Sequence, residues 1–148
     1  MDKYDLQRFI YEQSINHDIA KAEILSGRKR EHWMWYTFPQ LLGLGKSKIS
    51  VYYAIKSIDE AKAYIQNDTL RSNLVELCTL LLIIPQNDPS EVFCYPDDMK
   101  LKSSMTLFEL CSPEIPVFGE VLDKFFGGER DSKTLEIYEK MKNNEDIQ

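Results

Sequence analysis

Apolar residues along this chain recur at helical rather than strand spacing almost from end to end. Leu6, Phe9, Ile10 and Gln13 open an amphipathic turn and a half. Asn16, a good N-cap residue, predicts a second segment carrying Ile19, Ala20, Glu23 and Ile24. Gly27 takes the left-handed conformation without a Cβ clash and predicts the stop of that segment. Ser57-Ile58-Asp59-Glu60 reads as a capping box and predicts a helix running to about Gln66.

Asn67-Asp68-Thr69 ends that helix and starts the next. Leu70, Leu74, Leu77, Cys78, Leu81 and Ile84 recur at helical spacing there, while Leu80, Leu82 and Ile83 fill the other side. A helix apolar nearly all round is expected to be central and buried. Pro85 and Pro89 close it and open its successor, with Asp88-Pro89-Ser90-Glu91 as another cap. Leu101, Met105 and Phe108 form a stripe after the Pro96-Asp97-Asp98 corner. Pro116 begins a helix packed through Phe118, Val121, Leu122, Phe125 and Phe126, and Gly127-Gly128 ends it. Asp131-Ser132 starts a last helix with Leu135, Ile137 and Tyr138. Ile49 to Ile55 leans towards strand, but no partner strand is evident, so helix is expected.

Connections are short, and neither repeats nor low-complexity linkers interrupt them. The pattern predicts an all-α fold, a single compact multihelical domain of about seven or eight helices. It covers residues 1–142, with a frayed tail over 143–148.

Composition narrows the function classes. The 148 residues are 43% hydrophobic and 28% charged, which is globular rather than disordered. The longest apolar run, Leu80 to Ile84, is far too short to span a bilayer, and Met1 to Asp5 does not resemble a secretion signal. A cytoplasmic location with no membrane partner is expected. Cys78, Cys94 and Cys111 are an odd number without close spacing, so reduced thiols are the simpler account. With two histidines and no Cys-x-x-Cys, no metal site and no cofactor are expected. A net charge of −6 argues against general nucleic-acid binding, while local basic patches suit a small anion.

Two constellations carry chemistry. The first is Arg28-Lys29-Arg30 followed by His32, Trp33, Trp35, Tyr36 and Gln40. Flat rings offer faces to a nucleobase or sugar, arginine matches phosphate or carboxylate, and an imidazole serves as acid or base near neutral pH. The same aromatics equally serve as core anchors, with His32 in a fixed hydrogen bond. The second is Asp97, Asp98, Lys100, Ser103, Ser104 and Thr106. Lys100 shares a helix face with Ser103 and Ser104, and that face is more polar than packing requires. Helix capping explains at least one of the two aspartates without any function. A lysine–serine dyad is disfavoured, because Ser-x-x-Lys sites have the reverse order. Gly43-Leu44-Gly45-Lys46-Ser47 lacks the leading glycine of a phosphate loop and reads as a helix stop followed by the Ser47 cap.

Several blocks resemble a known family: Gly27-Arg28-Lys29, His32-Trp33-Met34-Trp35, Phe38-Pro39-Gln40, Gly43-Leu44-Gly45 and Tyr53-Ala54-Ile55. Further on stand Pro96-Asp97-Asp98-Met99-Lys100-Leu101, Ser103-Ser104-Met105-Thr106-Leu107-Phe108 and Phe126-Gly127-Gly128. In that order, from about Phe9 to Leu135, they resemble an uncharacterised family of small proteins, domain of unknown function 1810, sometimes labelled calpastatin. The resemblance implies a multihelical fold and supplies no activity. Cys94-Tyr95 stands where a glycine is expected before the Pro-Asp-Asp corner. The calpastatin label implies a disordered inhibitor, which this composition contradicts.

The expected function is a pocket assembled by both constellations for a small anionic ligand, nucleotide- or ADP-ribose-like. His32, Asp97 and Asp98 are the candidate catalytic residues, for hydrolysis or group transfer. Arg28, Lys29, Trp33, Trp35, Gln40, Lys100, Ser103 and Ser104 are the candidate ligand contacts. The order of aromatic-basic segment, buried helix and acidic corner also resembles helical ADP-ribose-processing N-glycosidases of the NADAR type, without a shared motif. The alternative is a non-enzymatic protein-interaction module using the Trp/Tyr/Arg cluster as its hot spot. Oligomeric state stays open.

Overall fold

Where the pattern predicts two segments divided at Asn16, one helix, α1 (Gln7–Leu25), runs straight through. The Asn16 carboxamide turns back and donates to Glu12 O at 3.1 Å, so it sits inside the helix instead of capping one. Gly27 does end α1, at φ 85°. Arg28 N donates to Glu23 O and Gly27 N to Ile24 O, the paired bonds that close a helix on a left-handed residue. Residues 2–147 are described in the computed structural model, the side chains of 145–147 excepted, so the frayed tail expected over 143–148 lies partly outside the described residues.

The remaining helices are α2 (Met34–Thr37), α3 (Lys48–Tyr53), α4 (Ile58–Gln66), α5 (Asp68–Ile83) and α6 (Pro89–Val92). They are followed by α7 (Asp97–Cys111), α8 (Val117–Phe126) and α9 (Ser132–Ile147). Nine helices among the described residues exceed the seven or eight expected; α2 is a single four-residue turn, too short to show a period, and α6, whose start was expected, is no longer than that. Local capping chemistry sets four of the starts. Side-chain oxygens of Ser47, Ser57, Asn67 and Asp88 accept the first free N–H groups of α3, α4, α5 and α6. The β-leaning stretch is helical through Tyr53, after which Ile55 forms an isolated parallel bridge with Leu41.

The core is a line of aromatic rings crossing the bundle. Phe9 meets Tyr64 edge-on at 5.1 Å, Tyr64 meets Phe108 at 5.2 Å and Phe108 meets Phe118 at 5.9 Å. These rings knit α1, α4, α7 and α8 together, and Leu70, Leu74, Leu77, Cys78 and Leu81 of α5 complete the core. That helix buries one face, not its whole circumference: Ile83 is 67% exposed and Leu80 and Leu82 are half-buried. In α9, Leu135 is exposed, and Thr134, Ile137 and Tyr138 face inward in its place.

Two cations, the buried Arg8 and the half-buried Lys124, brace the frame. Arg8 donates to the carbonyls of Tyr4, Asp5, Tyr52 and Ala54 and to Glu60 Oε2 at 2.6 Å. Glu60 accepts Lys56 N on its other oxygen, so the expected capping-box glutamate also anchors α1 to α4. Lys124 of α8 donates to the carbonyls of Leu81 (2.7 Å), Leu82 (3.2 Å) and Ile84 (2.5 Å). It satisfies the free carbonyls at the end of α5 and complements the negative end of that helix.

Candidate functional site

The loop between α1 and α2 is moulded around one carboxylate. Glu23, on the last turns of α1, accepts Arg30 N at 2.8 Å, Glu31 N at 3.0 Å and the Trp33 indole N–H at 2.8 Å. Burial pushes its pKa up, but those three donors and the nearby Lys29 charge outweigh it, and the net shift is downward from the ordinary carboxylate value. Glu23 thus reels the basic segment back onto α1 and pins Trp33 in the interior, 0% exposed against Phe38 and Phe93.

Lys29 joins this loop to the acidic corner. Its ammonium stands 2.9 Å from Asp97 Oδ2 and 5.1 Å from the Trp33 ring centre, with the side chain only 8% exposed. Its backbone N–H donates to Val92 O at 2.8 Å, tying the loop to the end of α6. Lys100 approaches the other Asp97 oxygen at 3.3 Å and lies 4.7 Å from the Trp35 ring centre. The two constellations therefore meet at Asp97, between the two tryptophans.

The candidate residues divide accordingly. Lys29, Asp97 and Lys100 hold one another, Trp33 is core, and Trp35 is half-buried beside Lys100. Asp98 accepts Met99 N at the start of α7. Ser103 and Ser104 face the interior: Ser103 Oγ donates to Met99 O at 3.1 Å, and Ser104 Oγ is buried without a partner. Thr106 likewise donates to Lys102 O at 2.8 Å, so the polar face of α7 is mostly helix-internal bonding. Gln40 lies elsewhere, its carbonyl accepting Ile55 N beside the α3 turn.

What remains open to solvent is Arg28, Arg30 and His32, with Cys94 and Tyr95 across from them. A cleft of about 220 Å³ is lined by Lys29, Arg30, His32, Tyr95, Pro96 and Asp97. A second, of about 500 Å³, adjoins it and is lined by Arg28, Arg30, Gln86, Ser90 and Glu91. Arg30 and Cys94 belong to both. Among the described residues neither Arg28 nor Arg30 has an ion-pair partner. Glu23, Tyr95, Gln86 and Glu91 are the residues that spacing did not single out for this site; the tertiary fold brings them there from the end of α1, from α6 and from the loops on either side of α6. No group of three His, Cys, Asp or Glu side chains able to hold a metal ion lies together among the described residues. No helix among them is long and apolar enough to cross a membrane.

The all-helical fold is that of a class of small proteins: the chain belongs to the family described as protein of unknown function (DUF1810), which it matches over residues 3–138. No curated protein matches it. Among solved structures it is similar to the conserved hypothetical protein Rv1873 from Mycobacterium tuberculosis, with 42% identity and a TM-score of 0.90. That match covers 93% of this chain and 99% of the mycobacterial one.

Proposed function

We propose that the paired cleft between the α1–α2 loop and the Cys94–Asp97 corner binds a small anionic ligand of nucleotide or ADP-ribose type. The observation that carries this reading is the pair of unpartnered guanidinium groups, Arg28 and Arg30, beside an exposed imidazole and an exposed tyrosine. Arginine forks fit phosphate oxygens two at a time, and an aromatic ring supplies a stacking face. The neighbouring cations have partners already: Lys29 and Lys100 are spent on Asp97. If the ligand is hydrolysed or transferred, His32 is the proton-handling group best placed to act, because Asp97 is bridged by two lysines and Asp98 holds the start of α7.

The interaction-module alternative draws less support. An interface hot spot needs its aromatic anchors at the surface, and Trp33 is buried while Trp35 is half-covered. Melting curves with and without AMP test the binding reading. At about 100 times Kd a ligand adds ~2.7 kcal/mol, a rise of several degrees. Arg30→Ala is expected to abolish that rise while leaving the ligand-free melting temperature near wild type. An unchanged ligand response in Arg30→Ala places any binding outside this cleft.

A further inference from the structure

We infer that the ligand is a two-armed phosphodiester or diphosphate, with its phosphate at Arg30, a hydroxyl-bearing arm in the larger cleft and a planar arm in the smaller one. This rests on reading the paired cleft as a ligand site. Arg30 is one of two residues lining both clefts, and its guanidinium carries no ion-pair partner among the described residues, so an anion held there sits between the two spaces. The smaller cleft, about 220 Å³, falls below the roughly 300 Å³ at which small-molecule sites begin, so it serves as one lobe of a site whose other lobe is the larger cleft.

The walls differ in chemistry. The larger cleft, about 500 Å³, presents the Glu91 carboxylate and the Gln86 amide, and neither arginine forms an ion pair with Glu91. A free carboxylate repels a second anionic group but accepts hydrogen bonds from hydroxyls. Gln86 Oε1 is buried without a partner, so turning that amide towards a hydroxyl breaks no bond to its oxygen. Its amide lies across Gly27, where an added Cβ would come within 2.2 Å of Nε2. The smaller cleft instead presents flat groups, the His32 imidazole and the 80% exposed Tyr95 ring. A planar ring gains by stacking there and would gain little against Glu91.

Affinities of three probes separate the arms: ribose 5-phosphate (hydroxyls only), phenyl phosphate (ring only) and ADP-ribose, whose diphosphate joins a hydroxyl-bearing arm to one that ends in a planar base (both). The wild type is expected to bind ADP-ribose at least tenfold more tightly than either of the others. Tyr95→Leu is expected to weaken ADP-ribose and phenyl phosphate about tenfold and leave ribose 5-phosphate unchanged. Glu91→Leu is expected to weaken ADP-ribose and ribose 5-phosphate and leave phenyl phosphate unchanged or tighter. Alkylation of Cys94, exposed and shared by both clefts, supplies a second readout: each probe that binds should slow it, while Cys78 stays unreactive because it is buried. Melting temperatures of the variants, all at exposed positions, confirm that they fold. Arg30-dependent binding in which both variants shift all three probes alike, or none, overturns the two-armed ligand and leaves the anion site standing. Absence of Arg30-dependent binding by every probe overturns both.

Discussion

Lys29 and Asp97 form an ion pair across 68 residues of sequence, 2.9 Å apart, with the lysine side chain almost wholly covered. The pair locks the α1–α2 loop onto the first turn of α7 and so fixes the width of the cleft between them. Lys29→Met removes a charge that Asp97 faces in a half-buried setting, and truncating one partner of such a pair costs about 2–4 kcal/mol. Lys29→Met/Asp97→Leu/Lys100→Met should recover part of that loss, because none of the three charges is then left without its partner. Urea denaturation of wild type, Lys29→Met and the triple variant measures this; a triple variant less stable than Lys29→Met would show that the three charges do not act as a unit.

Glu23 predicts a pH dependence with a definite sign. Its folded-state pKa is depressed, so its contribution is fully present above the ordinary carboxylate value of 4.5 and is lost as pH falls through the folded value. Stability measured between about pH 6 and pH 3 should fall less steeply in Glu23→Gln than in the wild type. Glu23→Ala, which leaves the Arg30, Glu31 and Trp33 donors without an acceptor, is expected to cost about 2–3 kcal/mol at neutral pH. Identical acid limbs in wild type and Glu23→Gln would contradict the assignment.

Helix starts were legible because capping is local: Ser47, Ser57, Asn67 and Asp88 each bond within three residues of themselves. The Schellman stop at Gly27 was legible for the same reason. Asn16 misled because an asparagine carboxamide serves a helix interior as well as a helix start, and only the continuing chain decides. The meeting of the two constellations was legible as an expectation from their composition. Which side chains remain free there was not, because Lys29 and Glu23 are committed by partners at long or unpatterned separations, and the Asp97 that Lys100 reaches at i+3 spacing is shared with that distant lysine. Spacing also does not distinguish a hydroxyl bonded to its own helix from one facing a ligand, and this is why Ser103 and Ser104 looked like site residues.

Ser104 gives a prediction of opposite sign to most core changes. Its hydroxyl is buried with no partner, so Ser104→Ala removes a desolvated group and leaves no new one unsatisfied. Stability should rise by about 1 kcal/mol and AMP binding should not change. A loss of binding with folding intact would return Ser104 to the site.

On α5 the two faces predict contrasting costs. Leu81 is fully buried, and Leu81→Ala should cost about 2–5 kcal/mol through lost transfer energy and a cavity. Ile83→Ala, two residues on, should stay within about 0.5 kcal/mol because that side chain is exposed. Comparable losses at both positions would mean that the outer face of α5 is covered in solution.

The central claim is that the cleft between the α1–α2 loop and the Cys94–Asp97 corner is where a small anion binds. Titration of the isotopically labelled protein with AMP, followed by backbone amide chemical shifts, locates binding without assuming any activity. The account predicts saturable shifts clustered at residues 28–32 and 94–97, lost in Arg28→Ala/Arg30→Ala. Shifts clustered away from those residues, or none at concentrations that saturate ordinary nucleotide sites, would contradict it.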